Sequence, residues 1–425
     1  MRRALVVLQV LAIVVLGAAT VARFHVWADV DERPHFDYVQ AVAEDGRLPE
    51  LTDLVSPEVQ AITDRTWPEP SPVDPASRGL AGRSYEAFQP PLYYLVATPA
   101  FLVEGDHLRK VKVLRAFDLL LVLAAVALLW RLSGALRPAD RLLAFSAGLV
   151  VVLWPGVLVR GITVSNAALE LPLVTALLLV TWRLGTEPRR GTRVLAGVLL
   201  GACLLTKSTL ISLAPLVLLV AAVDWRRHRD GVGTGLLVAL PAALLAPWLA
   251  FNLAHYDALT PSAAARAQQR PFVNPDNVQY GVDDAVERTG RMLDQILPVE
   301  FLGQLDVAWI RVATALVVAA LVVPAVVLAV ASPRRRVIWF FALPVLTGYA
   351  MLVLTLLSAN WPSFNLRYLY PALPALAVAV AVAVPRGRER LAWGVVAGCS
   401  VLLAAVWIDM AGAFYFTDVG DKLGI

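Results

Sequence analysis

The chain has 425 residues, 58% of them hydrophobic and only 16% charged, with a mean hydropathy of +0.67. Soluble domains hold roughly 45–50% apolar residues, so this composition excludes a soluble globular protein. The net charge of +4 comes mostly from arginines in short loops between apolar runs, which gives no reason to expect a nucleic-acid partner.

In chain order, Met1-Arg2-Arg3 leads into an apolar run from Ala4 to Ala22. That run exceeds the about 7–15 residues of a cleaved signal, so an uncleaved first span is expected. A polar segment follows at 25–89 with thirteen Asp/Glu against five Arg. Its early part is expected to fold as a short surface helix, with Pro34 in the first turn, Phe36, Val39 and Ala43 on one face, and Gly46 as its stop. From Leu51 to Gly82 no period is sustained, and a loop is expected.

The apolar run from Pro90 to Val103 is short for a crossing, which needs about 20 residues. If it crossed, the later arginine clusters around Arg131, Arg189, Arg226, Arg334 and Arg386 would fall outside. The positive-inside bias therefore predicts an interfacial or re-entrant segment. Spans are then expected near 116–133, 142–159, 167–184, 194–206, 208–225, 234–256, 307–331, 337–359, 369–384 and 391–415. With the first span they make about eleven transmembrane helices, with the N-terminus cytoplasmic. The predicted fold is an all-α polytopic bundle forming a single transmembrane domain, 1–425. Its first extracytoplasmic loop region is 25–115, with interfacial helices, and its second is 257–306, with eight acids and four arginines. Cys203 and Cys399 lie in apolar runs and suggest no metal or disulfide spacing.

Candidate chemistry gathers on the expected outer side. Asp31 and Glu32, with His35 and Tyr38, sit just beyond the first span. An acid there caps a helix, and a carboxylate at a low-dielectric boundary also has a raised pKa that suits a general base. In Glu86-Ala87-Phe88-Gln89-Pro90-Pro91-Leu92-Tyr93, the prolines fix the entry of an apolar segment, or they aim Glu86, Gln89 and Tyr93 at the same cavity. The chain has four lysines, Lys110, Lys112, Lys207 and Lys422, all expected on or near the outer side. Lys207 lies between apolar runs, where an ammonium costs about 2.5–3.5 kcal/mol at a helix centre, so a partner is expected. Snorkelling and phosphate binding both answer that need, as they do for Arg367 and, more weakly, Arg115. Lys110 and Lys112 suit outer headgroups or an anionic ligand. Asn166 and Ser165 stand where a helix cap is expected, and Glu170 lies one turn further in.

With these residues in view, the chain resembles the GT-C superfamily of polyprenyl-phosphate-dependent glycosyltransferases, near the protein O-mannosyltransferase and lipid A aminoarabinose transferase group. The resemblance rests on Asp31-Glu32 with His35-Phe36, Gly46-Arg47-Leu48-Pro49, Gln89-Pro90-Pro91-Leu92, Thr206-Lys207 and Arg367-Tyr368-Leu369-Tyr370-Pro371. It implies transfer of a sugar from a polyprenyl-phosphate carrier to a hydroxyl of a glycan, lipid or protein acceptor at the extracytoplasmic face of the cell membrane. It further implies Asp31 as base, with Glu32 beside it, and Lys207 and Arg367 on the lipid phosphate, with Arg115, Lys110 and Lys112 as further cations. His35, Tyr38, Glu86, Gln89, Tyr93 and Asn166 would face the substrates. Many relatives carry an Asp where this chain has Ala167, which leaves cofactors unassigned and a divalent cation open, with no metal ligand named. The competing reading is a transporter or flippase of lipid-linked sugars, which internal repeats and broken helices would favour.

Overall fold

A computed structural model describes residues 1–27, 29, 31–66, 83–274, 276–292, 308–361 and 364–414. The end of the first loop, 67–82, and much of the second, 293–306, lie outside the described residues, as do Pro362 and Ser363. Helices dominate, and no strand forms among the described residues beyond an isolated bridge between Leu54 and Arg83. In order they are α1 Arg2–Arg23, α2 Glu32–Gln40, α3 Pro57–Thr66, α4 Leu92–Phe101, α5 His107–Leu136, α6 Arg141–Val152, α7 Pro155–Arg160, α8 Ala167–Thr186 and α9 Arg190–Thr206. They continue with α10 Ala214–His228, α11 Gly231–Tyr256, α12 Ser262–Val273, α13 Val282–Arg291, α14 Ala308–Ala331, α15 Arg335–Ala359, α16 Leu373–Ala383 and α17 Glu389–Phe414.

Each of the eleven expected spans is helical over most of its described residues. Eight helices among the described residues are long and apolar enough to cross a membrane by length and composition, and the chain is a multi-pass membrane protein. One of the eight is α10 together with the 3-10 turn Ser208–Leu213 that leads into it, and the remaining three, α6, α9 and α16, are shorter. Helix α6 stops at Leu153-Trp154, and Pro155 starts α7 because a proline fits a first turn, whose N–H has no partner to lose. The ten-residue α4 is too short to span.

The core is built around α16. All of its residues are buried, and it packs against α6, α15 and α5. A helix apolar on every face belongs inside a bundle, and burial overrides the weak helix propensity of its valines. Helix α9 approaches α11 closely through Gly197 and Gly201, four residues apart on one face. A Cβ at Gly201 would stand 2.7 Å from Leu244 Cδ1, and one at Gly197 would stand 3.0 Å from the Leu236 carbonyl oxygen.

The segment after α1 does fold as a helix, and Gly46 at φ 66° closes it through a π-helical turn, Ala41–Asp45. It is not a surface helix, since every residue from Glu32 to Gln40 is buried. Helix α4 packs against it: Tyr38 stacks on Tyr94 at 3.5 Å between ring centroids, and Phe36 meets Phe101 at 5.4 Å. Its polar residues suggested a surface position, but several of them find partners inside the fold.

Candidate active site

Asp31 and Glu32 are neighbours in the chain, and the start of α2 turns them to different partners. Glu32 is fully buried and takes two hydrogen bonds from Arg115, both 2.6 Å, through Nε and Nη2. The backbone N–H groups of Trp27 and Val164 donate to it as well, at 3.1 and 3.2 Å. Arg115 directs its remaining donors to the carbonyls of Phe24 and His25. A guanidinium this deeply buried needs a carboxylate and carbonyls around it, and here they knit the end of α1 to α2 and α5. Arg115 therefore faces Glu32 instead of an outside phosphate, and Glu32 does not stand with Asp31 as a second open carboxylate.

Asp31 occupies the residue before α2 but its side chain makes no cap. It accepts from Arg367 Nη1 at 2.6 Å, lies 3.7 Å from Arg160 Nη1, and accepts from the Tyr85 hydroxyl at 3.3 Å. Its side chain stays 13% accessible, where Glu32 has none. Burial pushes the Asp31 carboxyl up, but Arg367 and Arg160 overcome that and hold it well below the usual carboxylate range. Arg160 also pairs with Asp29 at 3.2 Å, and Asp29 accepts from Thr163 at 2.7 Å.

Lys207 ends α9 and meets its expected need for a partner in Glu170, at 2.6 Å. The ring of Tyr368 links the two expected phosphate ligands, with Lys207 Nζ 5.6 Å and Arg367 Cζ 5.3 Å from its centroid. Arg160, Ala167, Glu170, Lys207, Arg367 and Tyr370 line one hollow of about 30 Å3. That is room for little more than a water or two. Ala167, the departure noted above, is thus part of its wall. Three cations, Arg160, Lys207 and Arg367, balance Asp29, Asp31 and Glu170, so an entering anion has to exchange ion pairs rather than find a spare charge.

Beside this cluster, Glu86 accepts from Gln89 Nε2 at 2.9 Å, and the Tyr38 hydroxyl donates to the Gln89 carbonyl at 3.3 Å. Burial, reinforced by the Asp31 charge, pushes Glu86 up to about 7. The Gln89 side-chain oxygen is buried and has no hydrogen-bond partner among the described residues. His35 bonds the Tyr94 hydroxyl at 2.8 Å, and burial lowers it to about 3 against the pull of Asp31, so it is neutral at pH 7.

Other expected residues lie apart from the hollow. The Tyr93 hydroxyl donates to Asp118 at 2.9 Å in the core. Lys110 pairs with Glu44 at 3.1 Å and covers the Phe101 ring, while Lys112 is exposed. Asn166 makes no cap; its Nδ2 donates to the Thr206 carbonyl at 3.3 Å, tying the start of α8 to the residue before Lys207. Arg160, Asp29 and Tyr85 were not singled out by the sequence, and Tyr368 entered only within the Arg367–Pro371 motif. For Arg160 part of the signal was present: like Lys207, it is a cation bordering an apolar run on the expected outer side. Among the described residues no group of three or more His, Cys, Asp or Glu side chains could hold a metal ion.

No family model matches the chain, and no curated protein does. Two solved structures do match: ArnT from Cupriavidus metallidurans bound to undecaprenyl phosphate, at a TM-score of 0.51 and 16% identity, and its apo state, at 0.50 and 17%. Each match covers 94% of this chain, which spans 65% and 64% of the ArnT chains. The chain shares the polytopic helical fold of these ArnT structures. Within that bundle, the Asp31 cluster lies at the end where α1 finishes and α5 begins.

Proposed function

We propose that the chain is a membrane glycosyltransferase that moves a sugar from a polyprenyl-phosphate carrier to an acceptor hydroxyl at the extracytoplasmic end of the bundle. The observation that carries this reading is the meeting of Asp31 with Arg367, 336 residues away in the chain, beside Lys207 on the same tyrosine ring. The fold shared with an ArnT bound to undecaprenyl phosphate supports the same class of donor here.

The donor phosphate draws Arg367 from Asp31 and Lys207 from Glu170, because a phosphate offers a guanidinium two parallel bonds. Once Arg367 turns to the phosphate, Asp31 loses the cation that most depresses its basicity. Asp31 then takes the proton of the acceptor hydroxyl as that oxygen attacks the anomeric carbon. The bond from the sugar to the phosphate breaks, its electron pair leaves on the phosphate oxygen, and Lys207 and Arg367 neutralise the charge that develops. A single displacement of this kind inverts the anomeric centre. Glu86, His35 and the Gln89 side-chain oxygen then hold the acceptor.

The test uses purified protein in lipid bilayers. Asp31→Asn is expected to lower sugar transfer by about 10²–10⁴-fold, the usual contribution of a positioned base, with the protein still folded. Wild-type turnover in that variant removes Asp31 from the role. Lys207→Ala is expected to weaken undecaprenyl phosphate binding about tenfold or more, and unchanged affinity counts against the phosphate assignment.

A further inference from the structure

The opposite end of the bundle holds a second charged region that the proposed transfer does not use. Arg115 lies in the early part of α5 and Arg137 directly follows its last residue, 22 residues on, which at 1.5 Å per residue is about 33 Å, the thickness of a bilayer core. Around Arg137, a cavity of about 650 Å3 is lined by Arg2, Arg137, Asp140, Arg334, Arg386, Glu389 and Arg390. Five arginines face two acids there, and both acids lie within ion-pair distance of Arg137, at 3.9 and 3.2 Å. Arg386, Arg388 and Arg390 are exposed and make no ion pair among the described residues.

Excess arginine at one end of a membrane protein follows from the insertion bias alone. What that bias does not supply is the groove beside it. A separate cavity of about 320 Å3 runs between α6, α14, α16 and α17, from Trp154 down to Arg388, with almost wholly apolar walls. The segment 384–391 lines both spaces in alternation: Val384, Pro385, Arg388 and Leu391 face the groove, and Arg386, Gly387, Glu389 and Arg390 face the basic cavity. Arg388 thus stands at the junction, one guanidinium at the mouth of a hydrocarbon-lined slot within the about 300–1,000 Å3 range of ligand cavities.

We propose that this junction is a binding site for an anionic phospholipid of the leaflet opposite the Asp31 hollow. One acyl chain lies in the groove between α6, α14, α16 and α17, and the headgroup phosphate meets Arg388 and Arg390, with Arg334 and Arg386 around it. The chemistry is that of basic pockets between transmembrane helices, which recognise anionic headgroups through paired guanidinium donors while the helices cover the chain. An apolar slot without the cations would take any lipid, and the cations without the slot would take any phosphate. Their contact at Arg388 selects a molecule that carries both.

The experiment uses the full chain purified in dodecyl maltoside, with thermal unfolding and native mass spectrometry as readouts. The probes are phosphatidylglycerol, phosphatidylcholine, inorganic phosphate and undecaprenyl phosphate. Phosphatidylglycerol is expected to bind one to one and raise the unfolding midpoint by several degrees, while phosphatidylcholine and inorganic phosphate do not. Arg388→Gln with Arg390→Gln is expected to weaken phosphatidylglycerol binding about tenfold. Val395→Trp, which fills the groove wall and leaves every charge in place, is expected to do the same. Should the glutamine pair fail to fold, Arg388→Lys with Arg390→Lys keeps the charges needed for insertion and still lowers affinity by removing the forked donors. Equal binding of phosphatidylcholine, a full shift from inorganic phosphate, or loss in only one of the two kinds of variant overturns the proposal. So does a defect confined to undecaprenyl phosphate, which would place the carrier and not a bilayer phospholipid in the groove.

Discussion

Asp31 and Glu32 are adjacent acids of similar chemistry, yet the fold makes one a closed joint and the other an open one. Glu32 and Arg115 are 0% and 1% accessible, and their polar atoms face each other or backbone groups. Asp31 and Arg367 keep 13% and 19% of their side chains accessible, beside a hollow with other cations within reach. An ion pair sealed from water holds elements together, because separating it strands a charge. A pair at the edge of a cavity can trade partners when an anion arrives. The comparison teaches that the number of neighbouring charges does not mark a site; access to them does.

The largest expected effect tests the closed joint. Arg115→Met strands the Glu32 carboxylate and is expected to cost about 3–5 kcal/mol of stability, read as a loss of folded protein on heating. Arg115→Met combined with Glu32→Gln is expected to be milder than the single change, because no buried charge is left alone. A single variant as stable as wild type would erase the distinction between the two acids.

Next comes Glu86, which shares the burial of Glu32 but lacks its guanidinium. Its carboxyl is pushed up from 4.5 to about 7. The folded protein therefore holds a proton that the unfolded chain releases across that window. This contribution to stability is fully present below about 4.5 and is lost as pH rises towards about 7. Unfolding followed from pH 4.5 to 7.5 is expected to show a decline of about 3 kcal/mol at most, absent in Glu86→Gln. An identical pH profile in the variant would assign the decline to other groups.

A smaller effect probes the open joint. Arg367→Lys keeps the charge and removes the fork, so undecaprenyl phosphate binding is expected to weaken about tenfold with little change in stability. Direct titration of the ligand into wild type and variant decides it, and equal affinities would mean that Arg367 serves Asp31 alone.

Much of this architecture was legible in the chain because hydrophobic length is a strong signal. The short run at Pro90–Val103, set against the arginine clusters, was enough to expect a segment that does not cross, and α4 is ten residues long. The meeting of Lys207 with Arg367 on Tyr368 was harder to read, since 160 residues separate them and only packing decides which helix ends share a corner. Their placement on the same expected side narrowed the choice without fixing it. What sequence could not give was the difference between Asp31 and Glu32, or the role of Arg115. Each depends on the direction a side chain takes from a single turn, and on Trp27, which enters the left-handed region at φ 63° where its N–H bonds Glu32. The burial of α2 was hidden for a related reason: a charged segment reads as surface unless its partners are known.

The smallest expected effect concerns Lys110, a second lysine expected, like Lys207, on the outer side. Both were marked by the scarcity of lysine and by the expected outer side, and the fold gives each a glutamate. The Glu170 partner of Lys207 is 2% accessible, whereas the Glu44 partner of Lys110 is 40% accessible. Water screens the second pair, and exposed pairs contribute about 0–1 kcal/mol. Lys110→Ala is therefore expected to change stability by less than about 1 kcal/mol, mostly through lost cover on the Phe101 ring, 4.0 Å below its ammonium. Undecaprenyl phosphate binding is expected to stay as in wild type, measured beside Lys207→Ala in the same titration. If Lys110→Ala weakens that binding as strongly as Lys207→Ala, the phosphate reaches beyond the hollow to the start of α5, and accessibility fails as the criterion that separates the two lysines.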